Sequence, residues 1–524
     1  MFARVLSGGV LGVDAYGIDV EVDCCGGIGQ MNIVGLPDLA VRESQDRVRA
    51  AIRSCSLILP VAKKWIINLA PADTRKAGPL YDLPIAAGIL ASSGLASMEN
   101  FSHLWMVGEL GLNGAVRPVS GVLPIALKCK ESGAKAMIVP EANAMEASLV
   151  EGLEVYPVAH LKEALMLLDS LKNGVVYRNE AKLRFEEEAR CGGSYPDQLP
   201  GLDFIDVKGQ LSAKRSMEIA AAGRHNLLMV GPPGSGKSML AERLSGIMPP
   251  LSYSEALELT KLYSVAGLLD KTRGLITARP FRSPHHSSSV VGLVGGGSVP
   301  RPGEISLSHY GILFLDELTE FSRSHLDNLR QPLETARVTI SRSTQTLTFP
   351  ASFLLVGACN PCPCGYRGDP VKYCICSPYQ ADRYWSRLSG PILDRIDMQV
   401  EVPRLAEHEL SAPSGASTSE EMRLRVMRAY LIQQERNRFD CGGRQDGFVY
   451  NGRLSHKQLQ KICKLSSASR ELLARAVSQL GLSARAYDRI IRLARTIADL
   501  EGHIEISASD IAESIKYRTL ARAL

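Results

Sequence analysis

"HNLLMVGPPGSGKSMLAERL", residues 225–244, decides the fold. The run ending at Val230 reads as a strand, and Gly231, Pro232, Pro233, Gly234, Ser235 and Gly236 as a glycine-rich loop. Lys237 and Ser238 then open a helix. This is G-x-x-x-x-G-K-S in the strand–loop–helix context that the motif requires. The glycines let backbone amides close around phosphate oxygens, and the helix N-terminus adds its positive end. In that arrangement Lys237 reaches the β- and γ-phosphates of a nucleoside triphosphate and Ser238 ligates Mg²⁺. A glycine-rich turn arising by chance would not satisfy both motif and context.

Two further runs fit the same centre. "GILFLDEL", residues 311–318, is an apolar strand ending in acid. Asp316 is placed to hold Mg²⁺ through water, and Glu317 to polarise the attacking water. "SFLLVGACN", residues 352–360, is a third strand ending at Asn360, which suits a side chain that senses the γ-phosphate. ATP and Mg²⁺ are the expected cofactors.

Around this centre, 524 residues leave room for roughly three to four domains. An apolar content of 45% supplies ordinary cores, and a net charge of +5 permits a nucleic-acid partner without arguing for one. The N-terminus lacks the apolar stretch and cleavage site of a signal peptide, and no run approaches ~18 uninterrupted apolar residues. No membrane partner and a cytoplasmic location are expected. Of twelve cysteines, five crowd into "CNPCPCGYRGDPVKYCICSP", residues 359–378. Cys362, Cys364, Cys374 and Cys376 form two C-x-C pairs, and four thiolates suit a tetrahedral structural Zn²⁺. Reduced thiols in a loop are the bland alternative, with Cys359 a bystander in the strand end.

Residues 1–170 alternate apolar runs ("KWIINLAP", "LWMVGELGL", "AMIVP") with helical patterns ("AVRESQDRVRAAIRSC", "LPIALKCKESGA"), an α/β domain. Residues 171–202 are charged and then rich in Gly and Pro, a linker. A second α/β unit spans 203–403, with a Cys-rich insertion at 359–376, and 404–524 reads as helical throughout. The fold class is α/β: a P-loop module with a helical lid, preceded by another α/β domain.

"RPFRSPHHSSSVVGLVGGGSVPRPGEISLSHYGILFLDEL" (279–318) and "SGPILDRID" (389–397) carry a resemblance. Residues 203–524 resemble the magnesium-chelatase-like branch of the AAA+ ATPases, and the whole chain is similar to the ComM/YifB family. The resemblance implies that Arg395 is an arginine finger offered to a neighbouring subunit's ATP. It implies that Arg485, in "LSARAYDR", is the sensor arginine of the lid, and that the protein forms a homo-oligomeric ring, a hexamer. A surface salt bridge is the plainer reading of each arginine.

"VRPVSGVLPIALKCKESGAKAMIVP", residues 116–140, resembles the Lon-type protease segment that carries the catalytic lysine. "KAGPLYDLPIAAGILASSG", residues 76–94, resembles the segment that carries its serine. Leu123 and Leu80 stand at those two positions. A lysine base works only with its serine in hydrogen-bond reach. The domain therefore resembles a Lon fold without its catalytic pair, as in RadA-type branch-migration proteins. Lys128, about a turn and a half beyond Leu123, reads as a surface residue.

"ETARVTISRSTQTLTFPASF", residues 334–353, alternates in the manner of a β-hairpin, with Arg342 near its tip. In the branch that the chain resembles, such a hairpin projects toward the ring's channel. His285 and His286, in a Gly-rich insertion, read as part of a pore or interface loop. Arg485, Arg489, Arg492 and Arg495 share a helix face that suits phosphate contacts or merely solvates the helix. No aromatic stacking platform is visible. The expected function is an ATP-hydrolysing ring acting on single-stranded or branched DNA, with helicase or branch-migration activity in homologous recombination and natural transformation. It is not expected to be a protease. A protein-remodelling chaperone, a protease-associated ATPase and a magnesium-chelatase-type subunit are the rivals.

Overall fold

A computed structural model describes residues 1–172 and 202–518, apart from 28, 61, 97–102, 271–273, 298–299, 342–345, 389, 406–416, 441–447 and 482. Arg342 and nearly all of the linker segment thus lie outside the described residues.

The N-terminal sheet runs in the order Met31–Val34, Lys63–Ala70, Asp14–Gly26, Phe2–Leu11, Leu104–Met106, Ala136–Pro140, Glu154–Val158. Its heart is the antiparallel hairpin of Phe2–Leu11 with Asp14–Gly26, which the sequence reading left unassigned. Glycines at 8 and 9 blur the strand pattern there. Gly8 is needed for close approach: a Cβ would come within 2.6 Å of Ile125 on helix Val122–Glu131. The run "LWMVGELGL" is not one strand. Leu104–Met106 joins the main sheet, while Glu109–Leu110 turns away to pair with Val116–Arg117. Helix Asp82–Ser92 is apolar nearly all round and is buried along its whole length. Leu80 and Leu123 are both core residues, whereas Lys128 pairs with Glu131 at 3.1 Å on the surface.

The second sheet is wholly parallel, in the order Phe281–Arg282, Ile312–Leu315, Leu354–Cys359, Leu227–Val230, Met398–Glu401. Its three central strands are buried at every residue, because helices and a hairpin cover both faces. Met229, Phe314 and Val356 face helices Leu211–Gly223 and Lys237–Ile247. Leu228, Leu313 and Leu355 face helix Arg323–Thr335 and the hairpin Arg337–Ser341/Thr346–Pro350. In that hairpin Val338, Ile340, Leu347 and Phe349 turn inward. The carboxyl ends of the three central strands open at one edge, where ligands of parallel α/β sheets bind.

The C-terminal part is helical: Ser419–Asp440, His456–Ile462, Ser467–Leu480, Ala484–Glu501 and Ala508–Lys516. The four arginines of helix Ala484–Glu501 do not form one solvent-facing basic surface. Arg489 bonds Asp397 at 2.8 Å, and Arg495 is buried against Asp499 and the carbonyls of His503 and Ile504. Arg492 is half-buried, and Arg485 alone of the four is exposed. The N-terminal domain docks on helix Tyr253–Ala266 of the second unit: Gly121 N–H donates to Ser264 O at 2.9 Å, and Lys261 pairs with Asp14 at 3.2 Å.

Candidate active site

The shape of the P-loop explains its glycines. A Cβ on Gly231 would meet the Val402 carbonyl at 2.1 Å, and Gly234 and Gly236 hold φ of 78° and 91°. Gly231 N–H donates to Cys359 O at 3.2 Å, tying the loop to the third strand. Gln210 supports it from outside, donating to Pro403 O at 2.7 Å and Ser235 O at 3.4 Å. Nothing local in the sequence marks Gln210, since its partners are 193 and 25 residues away.

Lys237 is buried, and its Nζ donates to Gly231 O at 2.8 Å, Pro232 O at 2.9 Å and Asn360 Oδ1 at 3.4 Å. Burial pushes its pKa down, opposed by Asp316, Cys359 and Glu317. Ser238 Oγ donates to Asp316 Oδ2 at 2.9 Å. Lys237, Ser238, Asp316 and Asn360 therefore meet at the carboxyl edge of the sheet. The hydroxyl–carboxylate pair offers the hard oxygen donors that Mg²⁺ takes.

Glu317 follows Asp316 in a left-handed conformation, φ 49°, and its N–H donates to Asp316 Oδ1 at 2.9 Å. Its carboxylate leans toward His286, with Nδ1 3.3 Å from Oε2. Strand Phe281–Arg282 lies parallel beside Ile312–Leu315, so the residues after both strands emerge at the same edge. His325 holds the same histidine loop through Ser288 O at 2.9 Å. The sequence reading assigned His285 and His286 to a pore or interface loop; the strand pairing that brings His286 to Glu317 has no local signature.

Arg395 stands away from this cluster. Its Nη2 pairs with Glu334 and its Nη1 donates to Pro391 O at 2.7 Å. Arg485 is exposed on helix Ala484–Glu501.

The four thiols of Cys362, Cys364, Cys374 and Cys376 lie within 4.8 Å of one another. Sulfur–sulfur distances are 3.3 Å for 362–364, 3.6 Å for 362–374 and 3.5 Å for 364–374. Tetrahedral Zn²⁺ with Zn–S of about 2.3 Å needs sulfurs about 3.8 Å apart, so the set fits that ion. Cys359 is separate and buried, and burial pushes its thiol up to about 12.

Residues 203–410 match the family described as magnesium chelatase, subunit ChlI; residues 20–143 match subunit ChlI of Mg-chelatase, and 416–518 its C-terminal family. Over 526 residues the chain is 41% identical to competence protein ComM of Haemophilus influenzae, covering 100% of this chain and 98% of that protein. The chain belongs to the ComM/YifB family of magnesium-chelatase-like AAA+ ATPases. Another relative in this ComM/YifB family is YifB of Salmonella typhimurium, 42% identical over 520 residues, 98% of this chain and 96% of that one. Lon protease of Lachnoclostridium phytofermentans is 27% identical over 159 residues, 28% of this chain and 19% of that protein. The Lon-like part is the N-terminal region. Among the described residues no helix is long and apolar enough to cross a membrane.

Proposed function

We propose that this ComM/YifB-family chain is a hexameric ring ATPase that binds single-stranded or branched DNA. It would drive helicase or branch-migration activity in homologous recombination during natural transformation, in the cytoplasm. The observation that carries the ATPase reading is the convergence of Lys237, Ser238, Asp316 and Asn360 at one sheet edge, with Glu317 beside them. The DNA reading is supported by full-length similarity to a protein named for competence.

In this reading Lys237 leaves its carbonyl partners for the β- and γ-phosphates, and the loop from Gly231 to Gly236 cradles them. Ser238 and Asp316 would hold Mg²⁺, which when bound neutralises charge building on the phosphate oxygens. Glu317 turns from His286 to take a proton from the attacking water, and Asn360 orients that water. Arg395 leaves Glu334 to reach a neighbour's nucleotide, and Arg485 closes from the lid. The Lon-like domain, residues 1–170, serves as a collar without peptidase chemistry, because Leu80 and Leu123 fill its dyad positions. Residues 171–202 link it to the ATPase core at 203–403 and the lid at 404–524. Zn²⁺ on the four cysteines stiffens the loop that leads to Arg395.

The test is branch migration of a labelled three-strand DNA by the full chain. Product formation that requires ATP and disappears in Lys237→Ala and Glu317→Gln supports the reading. ATP hydrolysis with no strand exchange or unwinding on any DNA overturns it in favour of protein remodelling.

A further inference from the structure

The cysteine loop touches the nucleotide-binding loop of its own chain at several points. Its root, Cys359, accepts the Gly231 N–H at 3.2 Å, and the next residue, Asn360, accepts from Lys237 at 3.4 Å. Trp385 Nε1 donates to Pro361 O at 3.0 Å, pinning that root from the other side. Beyond the first two thiols the chain turns at Gly365, φ 82°, directly behind Pro233. A Cβ at 365 would sit 2.7 Å from Pro233 Cδ, so only glycine lets the two loops touch. A small cavity lies beside this contact, lined by Gly231, Pro232, Arg367, Asp369 and Arg404.

Besides the thiols this wall is held by short-range contacts within the loop itself: Val371 and Lys372 N–H donate to Asp369 Oδ1 at 2.8 and 3.0 Å, and Lys372 lies over the Tyr366 ring. Along 373–376 half-buried Cys374 and Cys376 alternate with Tyr373 and Ile375, which are 96% and 87% exposed, and Val371 before them is 68% exposed. A loop that buries so little apolar surface cannot offset its own ordering entropy by packing. Binding a metal can supply that ordering, as in small metal-organised domains.

We propose that the four-cysteine site is a metal-dependent positioning element for the nucleotide: Zn²⁺ bound there sets the geometry of Pro233 and Asn360, and so the affinity of the P-loop for ATP. The proposal rests on the zinc and ATPase readings above, and goes beyond a stiffened path to Arg395. Gly365 is the positioning residue through which the metal loop bears on the P-loop.

The experiment uses the full chain with three readouts: zinc content by elemental analysis, Kd for a fluorescent ATP analogue in excess Mg²⁺, and the KM and kcat of hydrolysis. The expected result is one zinc per chain. Stripping it with a thiol-compatible zinc chelator should raise Kd about 10-fold, with recovery when Zn²⁺ returns. Gly365→Ala should retain its zinc yet raise Kd and KM about 10-fold, with kcat changed less than 3-fold. Zinc lost without change in Kd, or Gly365→Ala with zinc and Kd both normal, overturns the coupling and leaves the zinc site standing. Protein that contains no zinc and binds nucleotide normally overturns the metal reading itself, and elemental analysis tells the two failures apart. If stripping unfolds the chain, the zinc-loaded Gly365→Ala arm still decides.

Discussion

His286 Nδ1 lies 3.3 Å from Glu317 Oε2, and Glu317 itself sits in the left-handed region at φ 49°. That backbone costs a non-glycine residue about 1–3 kcal/mol, a cost met here at the mouth of the sheet. The histidine engages the carboxylate proposed above to act on water. His286→Ala should therefore raise basal, DNA-independent ATP hydrolysis about 3- to 10-fold and compress the ratio of stimulated to basal rate. Steady-state rates with and without DNA check this; an unchanged basal rate means that the contact does not restrain Glu317.

Glu317→Gln keeps the shape of the side chain and removes its basicity. It should lower kcat by about 10²–10³, or about 3–4 kcal/mol of transition-state stabilisation, while nucleotide Kd stays within about 3-fold. Lys237→Ala should lose nucleotide affinity as well. Single-turnover hydrolysis beside a binding titration separates the two.

His225 is buried between the core and the lid, its Nε2 2.7 Å from Thr496 Oγ1. Burial drives its pKa from the ordinary 6.5 down to about 4, with Asp397 opposing and Arg492, Arg489 and Arg453 adding to the depression. Between those values the unfolded chain binds a proton that the native chain refuses. Stability from this residue is therefore complete above pH 6.5 and drains away as pH falls toward 4, by about 3 kcal/mol at most. Denaturant melts at pH 7 and pH 4.5 should show a smaller loss in His225→Gln than in the parent chain.

Leu123 is fully buried and Leu80 nearly so. Restoring a Lon-like dyad with Leu80→Ser and Leu123→Lys should yield no peptide hydrolysis. It should also cost about 3 kcal/mol or more, since a lysine placed in a packed core loses both solvation and fit. Thermal unfolding of the double variant, with a fluorogenic peptide assay, checks both parts.

The parallel sheet was legible in the sequence because its central strands are buried on both faces, giving apolar runs that end abruptly at Gly231, Asp316 and Asn360. The lid was legible from its helical period. The first hairpin was not, because Gly8, Gly9 and Gly17 break the alternation while giving room to Ile125, Tyr16 and Trp105. Side-chain partners were least legible. Arg489 finds Asp397 across 92 residues, and His286 reaches Glu317 only because two short strands pair. Ion pairs between distant elements leave no periodic trace, so the same arginine reads alike on a free face and in a bridge.

The most direct measurement is the ATPase rate of the purified full chain with and without single-stranded and forked DNA, at two salt concentrations, beside Lys237→Ala. The account predicts several-fold stimulation by DNA that weakens as salt rises, as counterion release requires, and that is absent in Lys237→Ala. Hydrolysis at the same rate whether or not any DNA is present would contradict the DNA-motor account.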